Sequence, residues 1–540
     1  MLSILFCILQ IIFSPPVDYD ISLAGNFGEP RPNHFHGGLD VKTENVEGKH
    51  IYSIGDGYVS RVTVGLYGFG NAVYVTHPTG HTSVYCHLKA FSPRIRKALR
   101  KYQYSHETSV GDAYFSPIDV PVSQGQFIAL SGNSGHSTGP HLHLEVHDTR
   151  SWDMVDPYEL LADNINDSVP PQAHSFMAIP QEGGSFNGSG NKQNFGFSSH
   201  HLEREFTAWG RVGFALWSDD YMQGTYNHYG VRYTTLLVDG VEVFSSDVGR
   251  IPVCLNRMVN VWGDYEHYLR SHVWYMKSFI EPGCRLSFLK ADKNRGIVDF
   301  CEERPYRLEY VLRDYNGNTS TYSFVVNASP NNYGVTQNKN LLSKFRYDRT
   351  NSYSYPGIQL VVPYGLLGTD ITLSPIIRQQ PDGYSPVCVF ASASQPILSE
   401  AELNMFSQHS VDDTSKLYIT NEQKRYFGGD YHDGWVSGRI KELSGAYRLA
   451  YDDQPPIVRP VSVGGDRLVL SVTDSGSGIA SWTATVDGRF IVFDAIEKSS
   501  SFVCLFKESW LRPTKSSHTL EFSATDNRKN TQVYKTTFTY

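Results

Sequence analysis

The chain has 540 residues, with 47 Lys and Arg against 55 Asp and Glu, and a formal net charge of −8. That length points to roughly three to four domains, and that charge gives no electrostatic case for nucleic acid. Only 19% of residues are charged, while 34 are Tyr and 29 are Phe, a balance that leans towards β structure.

Residues 1 to 14 form an apolar run, short for a membrane span and of a length suited to an export signal, with Ser14-Pro15-Pro16 directly behind it. Residues 1–16 are therefore expected to be a signal segment, with a buried N-terminal strand as the alternative. No other stretch is apolar enough to span a membrane. The cysteines (Cys7, Cys86, Cys254, Cys284, Cys301, Cys388 and Cys504) contain no Cys-x-x-Cys pair, so no zinc knuckle is readable. Cys284 and Cys301 can pair in an oxidising compartment; buried free thiols are the competing expectation.

The segment Asn33-His34-Phe35-His36-Gly37-Gly38-Leu39-Asp40 places a carboxylate four residues after a histidine, with two glycines that let the backbone turn tightly between them. Short strand-like runs follow at 52–59 and 71–76, and then Tyr85-Cys86-His87-Leu88, which alternates like a strand. His77 and His81 flank a Pro-Thr-Gly turn and are expected at the surface. Ser92-Pro93 opens a short basic helix to Tyr104 with Arg94, Arg96, Lys97, Arg100 and Lys101. A solvated face is expected for it, a substrate-facing rim being the sharper alternative.

The turn-rich stretch 131–140 leads into His141-Leu142-His143-Leu144-Glu145-Val146. Side chains at i and i+2 leave the same face of a strand, so His141, His143 and Glu145 point one way and the leucines enter a core. A histidine, a carboxylate and a distant His-x-His suffice for a three-ligand zinc site with a spare imidazole beside it. Glu145 is expected to hydrogen-bond an imidazole. His34 has the wrong spacing to Asp40 and is expected at the rim, and His136 in an exposed turn.

His36-x-x-x-Asp40, Tyr85-x-His87-Leu88 and His141-x-His143, in that order, resemble the three motifs of the lysostaphin/LytM-type (M23) zinc metallopeptidases. Gly25-Asn26-Phe27-Gly28 and Gly132-Asn133-Ser134-Gly135 agree on the flanks. The resemblance covers roughly residues 20 to 160. It implies one Zn²⁺ held by His36, Asp40 and His143, with His141 as general base and proton donation to the leaving amine shared with His87. It implies hydrolysis of peptide bonds in peptidoglycan, outside the cytoplasm, in the periplasm or cell envelope. The alternative is a zinc-bearing scaffold of the same fold that binds the wall or activates another hydrolase.

The expected architecture is mainly β: an antiparallel peptidase domain over 17–165, followed by β-sandwich modules. Asp167-Ser168-Val169-Pro170-Pro171 reads as a linker, and Pro455-Pro456 marks a second boundary. Val238-Asp239-Gly240 recurs as Val486-Asp487-Gly488. Leu308-Glu309-Tyr310, Asp314, Asn318 and Tyr322 recur at the same spacing as Leu520-Glu521-Phe522, Asp526, Asn530 and Tyr534. Two copies of one immunoglobulin-like sandwich are therefore expected, over 170–329 with an insertion and over 456–540, similar to the modules that often follow such peptidases in Bacteroidetes-type proteins. In each, the Asp and Asn close the hairpin between the last two strands. A further β-rich module is expected over 330–455. These modules are candidates for contacting cell-envelope partners.

Overall fold

The computed structural model of the chain describes residues 13–65, 68–109, 111–330, 344–496, 498–512, 514 and 516–540. Residues 1–12 of the expected signal segment, Cys7 among them, lie outside the described residues. The protein is mainly β and its sheets are overwhelmingly antiparallel.

The N-terminal domain is built on one antiparallel sheet. Its strands are β1 (Leu23–Gly25), β2 (Gly38–Lys42), β3 (Gly57–Val64), β4 (Ala72–Thr76), β5 (His81–Cys86), β6 (Gly111–Tyr114) and β7 (His141–Asp148), and they lie side by side in the order β1-β2-β7-β5-β4-β3-β6. The strict alternation of β7 sends Leu142, Leu144 and Val146 into a core with Leu39, Val41 and Tyr85. Each such buried aliphatic contributes about 2 kcal/mol. The opposite face of β7 is left to His141, His143, Glu145 and His147.

Packing begins at Phe13, inside the expected signal segment. The Phe13 ring meets His77 edge-on at 5.4 Å, and Ser14 N–H donates to Ile54 O at 2.8 Å. His77 is not at the surface, as its turn flank suggested, but buried between Asp56 O and Ser83 Oγ, at 2.8 Å each.

Helix α1 (Pro93–Ser105) starts with proline in its first turn, where a missing N–H costs nothing. Arg94, Lys97 and Lys101 are exposed, as expected of a solvated face, but the other two basic residues are not. Arg96 and Arg100 bind Asp494 and Glu508 of the last module, with Arg100 Nη1 donating to Asp494 Oδ1 at 2.9 Å and Arg96 Nε to Glu508 Oε2 at 2.8 Å. Phe493 N–H donates to Ser109 Oγ at 3.1 Å beside them.

The next module is joined to the N-terminal domain by continuous structure. Strand Met154–Val155 pairs with both β7 and Arg250–Ile251, and Phe27, Phe35 and Met154 share one core with Phe214, Phe244, Val248 and Trp262. The insertion expected in this module supplies Asn256 and Asn260. Their side chains accept from Phe35 N–H at 2.6 Å and Asn33 N–H at 3.1 Å, bracing the segment just before His36.

Residues 344–452 carry a five-stranded sheet around Ala401–Phe406 and Trp435–Ile440. Residues 457–539 form two four-stranded sheets whose inward faces share a core of Leu470, Val486, Phe502, Phe522 and Phe538. The repeated sequence makes repeated structure. Asp239-Gly240 and Asp487-Gly488 are all left-handed, as two-residue hairpin turns require. Asp314 accepts from Asn318 N–H at 2.9 Å and Asn318 Nδ2 at 2.6 Å; Asp526 accepts from Asn530 at 2.9 and 2.7 Å. The described cysteines, Cys284 and Cys301 among them, are all unpaired, and Cys254 and Cys301 are exposed rather than buried.

The α1 docking gives a pH-dependent prediction. Burial alone would raise the Asp494 carboxyl, but Arg100 and Arg96 outweigh it and hold it below its ordinary range, and Glu508 likewise. A depressed carboxylate stabilises the fold above its unfolded pKa, and that contribution is lost as pH falls through the folded value. Arg100→Ala should therefore destabilise the last module by roughly 3 kcal/mol at neutral pH, with the gap narrowing below about pH 4. Urea unfolding at both pH values checks this; a gap independent of pH would contradict it.

Candidate metal centre

Strand register assembles the site. His143 on β7 stands opposite Asp40 on β2 and opposite Cys86 on β5, so all three leave the sheet on one face. His141 lies one pleat away on the same face. Gly37 and Gly38 are not a tight turn: Gly38 already belongs to β2 and neither has a positive φ. They are there for close approach. A Cβ on Gly38 would sit 2.1 Å from Leu144 O, and one on Gly37 would sit 2.5 Å from Glu145 Oε1. His87 is not in strand but just past the end of β5, with φ 59°, and that left-handed residue turns its ring back over the sheet.

Four imidazoles converge here, and each is oriented from behind. His36 Nδ1 meets Asn26 O at 2.5 Å, His143 Nε2 meets Glu145 Oε1 at 3.0 Å, His141 Nδ1 meets Gly139 O at 2.8 Å and His87 Nδ1 meets Ser134 O at 2.7 Å. These acceptors assign the outer nitrogen of each ring as the N–H donor, so the inner nitrogen presents its lone pair. His36 Nε2, His143 Nδ1 and Asp40 Oδ1 lie within 3.0 Å of one another. His141 Nε2 is 3.4 Å from Asp40 Oδ1, and the His87 ring is centred 4.9 Å from that of His141. His141 is the most open of this group, its side chain 19% exposed against 2% for His36.

The electrostatics favour a cation at the centre. Burial penalises the Asp40 charge, yet the surrounding histidines, His36 first, hold its carboxyl well below the usual range. Burial also disfavours a charged His143, but hydrogen bonds to Asp40 and Glu145 outweigh that and raise it to about 9, so a metal at Nδ1 would take the place of a proton there. Burial first, and then repulsion by His143 and His141, depresses His87 to about 3, which keeps that ring neutral. Two neutral imidazole nitrogens and one carboxylate oxygen fit a tetrahedral divalent metal with one position left open.

The structure thus brings His36, Asp40, His143, His141 and His87 to one place, with Glu145 behind His143. His34 and His136 stay exposed and outside. Sequence reasoning missed Arg31, whose Nη2 donates to Asp40 Oδ2 at 2.8 Å, and His147, whose Nε2 lies 2.6 Å from Glu145 Oε2. His147 continues the i+2 alternation of β7 and was legible by period. Lys498 was also missed. Its Nζ donates to Ser137 O at 2.7 Å and Asn133 O at 2.9 Å, gripping the loop that supplies the His87 and His141 acceptors. It lies 361 residues from Ser137, and no local signal announces it.

Comparison with known proteins finds similarity over the N-terminal domain. The family model of Peptidase family M23 matches residues 34–104, and that of the Zu5-like domain matches residues 342–452. An uncharacterized metalloprotease of Haemophilus influenzae is 33% identical over 120 residues, which cover 22% of this chain and 19% of the relative. The peptidoglycan DD-endopeptidase ShyA of Vibrio cholerae is 31% identical over 138 residues, covering 24% of this chain and 26% of the relative. The chain therefore spans about a fifth to a quarter of the length of these relatives. A crystal structure of a zinc containing peptidase from Vibrio cholerae aligns at 28% identity and TM-score 0.20, over 27% of this chain and 39% of that one.

The geometry separates ligands from neighbours. His36→Ala, Asp40→Ala and His143→Ala should each abolish metal retention by the purified full chain, whereas His141→Ala and His87→Ala should keep it. Glu145→Gln should weaken metal affinity about 10- to 100-fold, since it disturbs the hydrogen bond that orients His143. Elemental analysis after dialysis against a graded chelator reads all six.

Proposed function

Because the N-terminal domain is an M23-family peptidase domain, we propose that the chain is a zinc-dependent endopeptidase that hydrolyses peptide bonds in peptidoglycan, in the stem peptide or cross-link, and acts in the periplasm or cell envelope. One observation carries the chemistry: three outward-anchored imidazoles whose inner nitrogens gather round the Asp40 carboxylate, with the His87 ring beside them. The substrate class is supported by the similarity to ShyA, whose name states its action on peptidoglycan.

His36 Nε2, Asp40 Oδ1 and His143 Nδ1 would hold the ion. When bound, zinc supplies a Lewis acid for the scissile carbonyl and makes the attacking water more acidic. His141, the most open of the rings, has its inner Nε2 beside the ligand set and its Nδ1–H fixed on Gly139 O, the disposition of a general base. His87 lies next to it, kept neutral by burial, and shares the return of the proton to the leaving amine. Arg31 balances the outer oxygen of Asp40, leaving Oδ1 for the metal.

Cross-linked peptidoglycan incubated with the zinc-loaded full chain should release new peptide fragments, read by mass spectrometry, that vanish with chelator. His141→Ala should lower turnover by about 10²- to 10⁴-fold while metal content stays at parent level. Products at parent rate from that variant would overturn the role of His141. No products from the zinc-loaded parent would favour the scaffold reading instead. Lys498→Ala should lower turnover without loss of zinc, since it frees the loop that carries Ser134, Ser137 and Gly139 but touches no ligand.

A further inference from the structure

Two other carboxylate clusters stand at corresponding places in the chain. Asp167, Asp220 and Asp314 form one, and Asp452, Asp474 and Asp526 the other. Within each, one carboxylate oxygen from every residue lies within 4.8 Å of the others. All six aspartates except Asp474 are buried.

The clusters are copies of one arrangement. The first aspartate of each ends a domain and is followed at the same spacing by a proline pair, Pro170-Pro171 or Pro455-Pro456. The second ends or follows an early strand of the module, Phe206–Tyr221 or Arg467–Thr473. The third opens the final hairpin, where Asn318 or Asn530 also reaches back to the backbone carbonyl of the first, at 3.2 Å to Asp167 O and 2.8 Å to Asp452 O. Each cluster also meets a tyrosine of the preceding domain, Tyr158 or Tyr418, whose hydroxyl the three carboxylates help to hold in its protonated form after burial has done most of that work.

Among the described residues, no Lys, Arg or His nitrogen lies within 4.0 Å of any of the six carboxylates. The nearby cation of the first cluster, Arg232, is committed to Asp156, Glu159 and Asp247. Three uncompensated charges in a desolvated pocket are costly. Burial and mutual repulsion push Asp220 and Asp167 above the usual carboxylate range.

A second kind of observation points to a ligand. The small cavity that Asp167, Asp220 and Asp314 line is also lined by Tyr158, which is 5% exposed and whose hydroxyl finds no hydrogen-bond partner of ordinary geometry, although Asn316 approaches it. In the other cluster Ser477 is 3% exposed, its N–H donates to Asp452 Oδ2 at 2.7 Å, and its Oγ is likewise unpartnered. A buried polar oxygen is thus left over on the cavity of the first set, and another on a residue whose N–H binds the second, while the other buried polar side chains among the described residues are almost all satisfied.

We propose that Asp167, Asp220 and Asp314, and separately Asp452, Asp474 and Asp526, each bind a calcium ion that fastens a β-sandwich module to the domain before it. The donors are all oxygen and all hard, with neither imidazole nor thiolate, which selects calcium over zinc. The ion supplies the missing charge, and because its ligands come from the interdomain linker and from two parts of the module, it ties them together. The proposal is independent of the peptidase reading.

The test is titration calorimetry with CaCl2 on the full chain, freed of calcium and reloaded with zinc, with thermal melting in parallel. About two ions per chain should bind, one for each cluster, and calcium should raise the melting temperature. Asp220→Asn and Asp474→Asn should each remove one binding event. In calcium-free buffer both variants should melt no lower than the parent, because a neutral amide relieves the repulsion. Zinc content is followed throughout so that changes at the histidine site are not mistaken for these. No calcium uptake by the parent, or uptake unchanged in both variants, would overturn the proposal, and the parent titration decides it even where a variant does not fold.

Discussion

The Asp40 carboxylate is a buried charge, and the site is arranged to satisfy it. Oδ1 faces His36 and His143, with His141 close by, and Oδ2 is held by Arg31. A carboxylate in such a place is tolerable only with cationic or hydrogen-bonding neighbours on every side. Nearly every neighbour is in turn fixed by something behind it: His36 by the Asn26 carbonyl, His143 by Glu145, and Glu145 by His147. Preorganisation of this kind keeps ligand lone pairs aimed at one point without a cost at the moment of binding.

Local features of this arrangement were legible in sequence. The period-two alternation of His141 to Val146 predicts which side chains share a face, because that is a property of one strand. The recurrence of Asp314 and Asn318 as Asp526 and Asn530 predicts two alike hairpins, because the turn hydrogen bonds span four residues. What depends on distant pairing was not legible. That Asp40 stands opposite His143 follows from register between β2 and β7, which no spacing states. Gly37-Gly38 suggested a turn because glycine serves both positive φ and close backbone approach; only the neighbouring Leu144 carbonyl and Glu145 carboxylate tell them apart. That Arg96 and Arg100 leave the solvated face of α1 was not legible, because their partner Asp494 lies 394 residues from Arg100.

The packing of residues 13–16 was not legible either, because hydrophobicity and length do not say what side chains touch. Phe13 packs on His77, and Ser14 and Pro16 make backbone hydrogen bonds to Ile54 and Tyr52. The same contacts explain why His77 is buried rather than at the surface: it fills the space between Phe13 and the sheet.

The two sides of the metal centre are supported by different physics. The ligand side rests on the first module, through a shared apolar core, a strand pairing that crosses the boundary, and the Asn256 and Asn260 side chains that hold the chain just before His36. Ion pairs of Arg232 with Asp156 and Glu159, and of Arg250 with Asp148 and Asp153, cross the same boundary. The side that orients His87 and His141 rests on the last module, through Lys498 on the loop 133–137 and the arginine–carboxylate cluster on α1. The α1 contacts are ion pairs whose arginines hold Asp494 and Glu508 below the ordinary carboxylate range, whereas Lys498 donates to backbone carbonyls. The segment before His36 and the loop whose carbonyls orient His87 and His141 are thus braced by different modules, the second of them 361 residues beyond Ser137 along the chain.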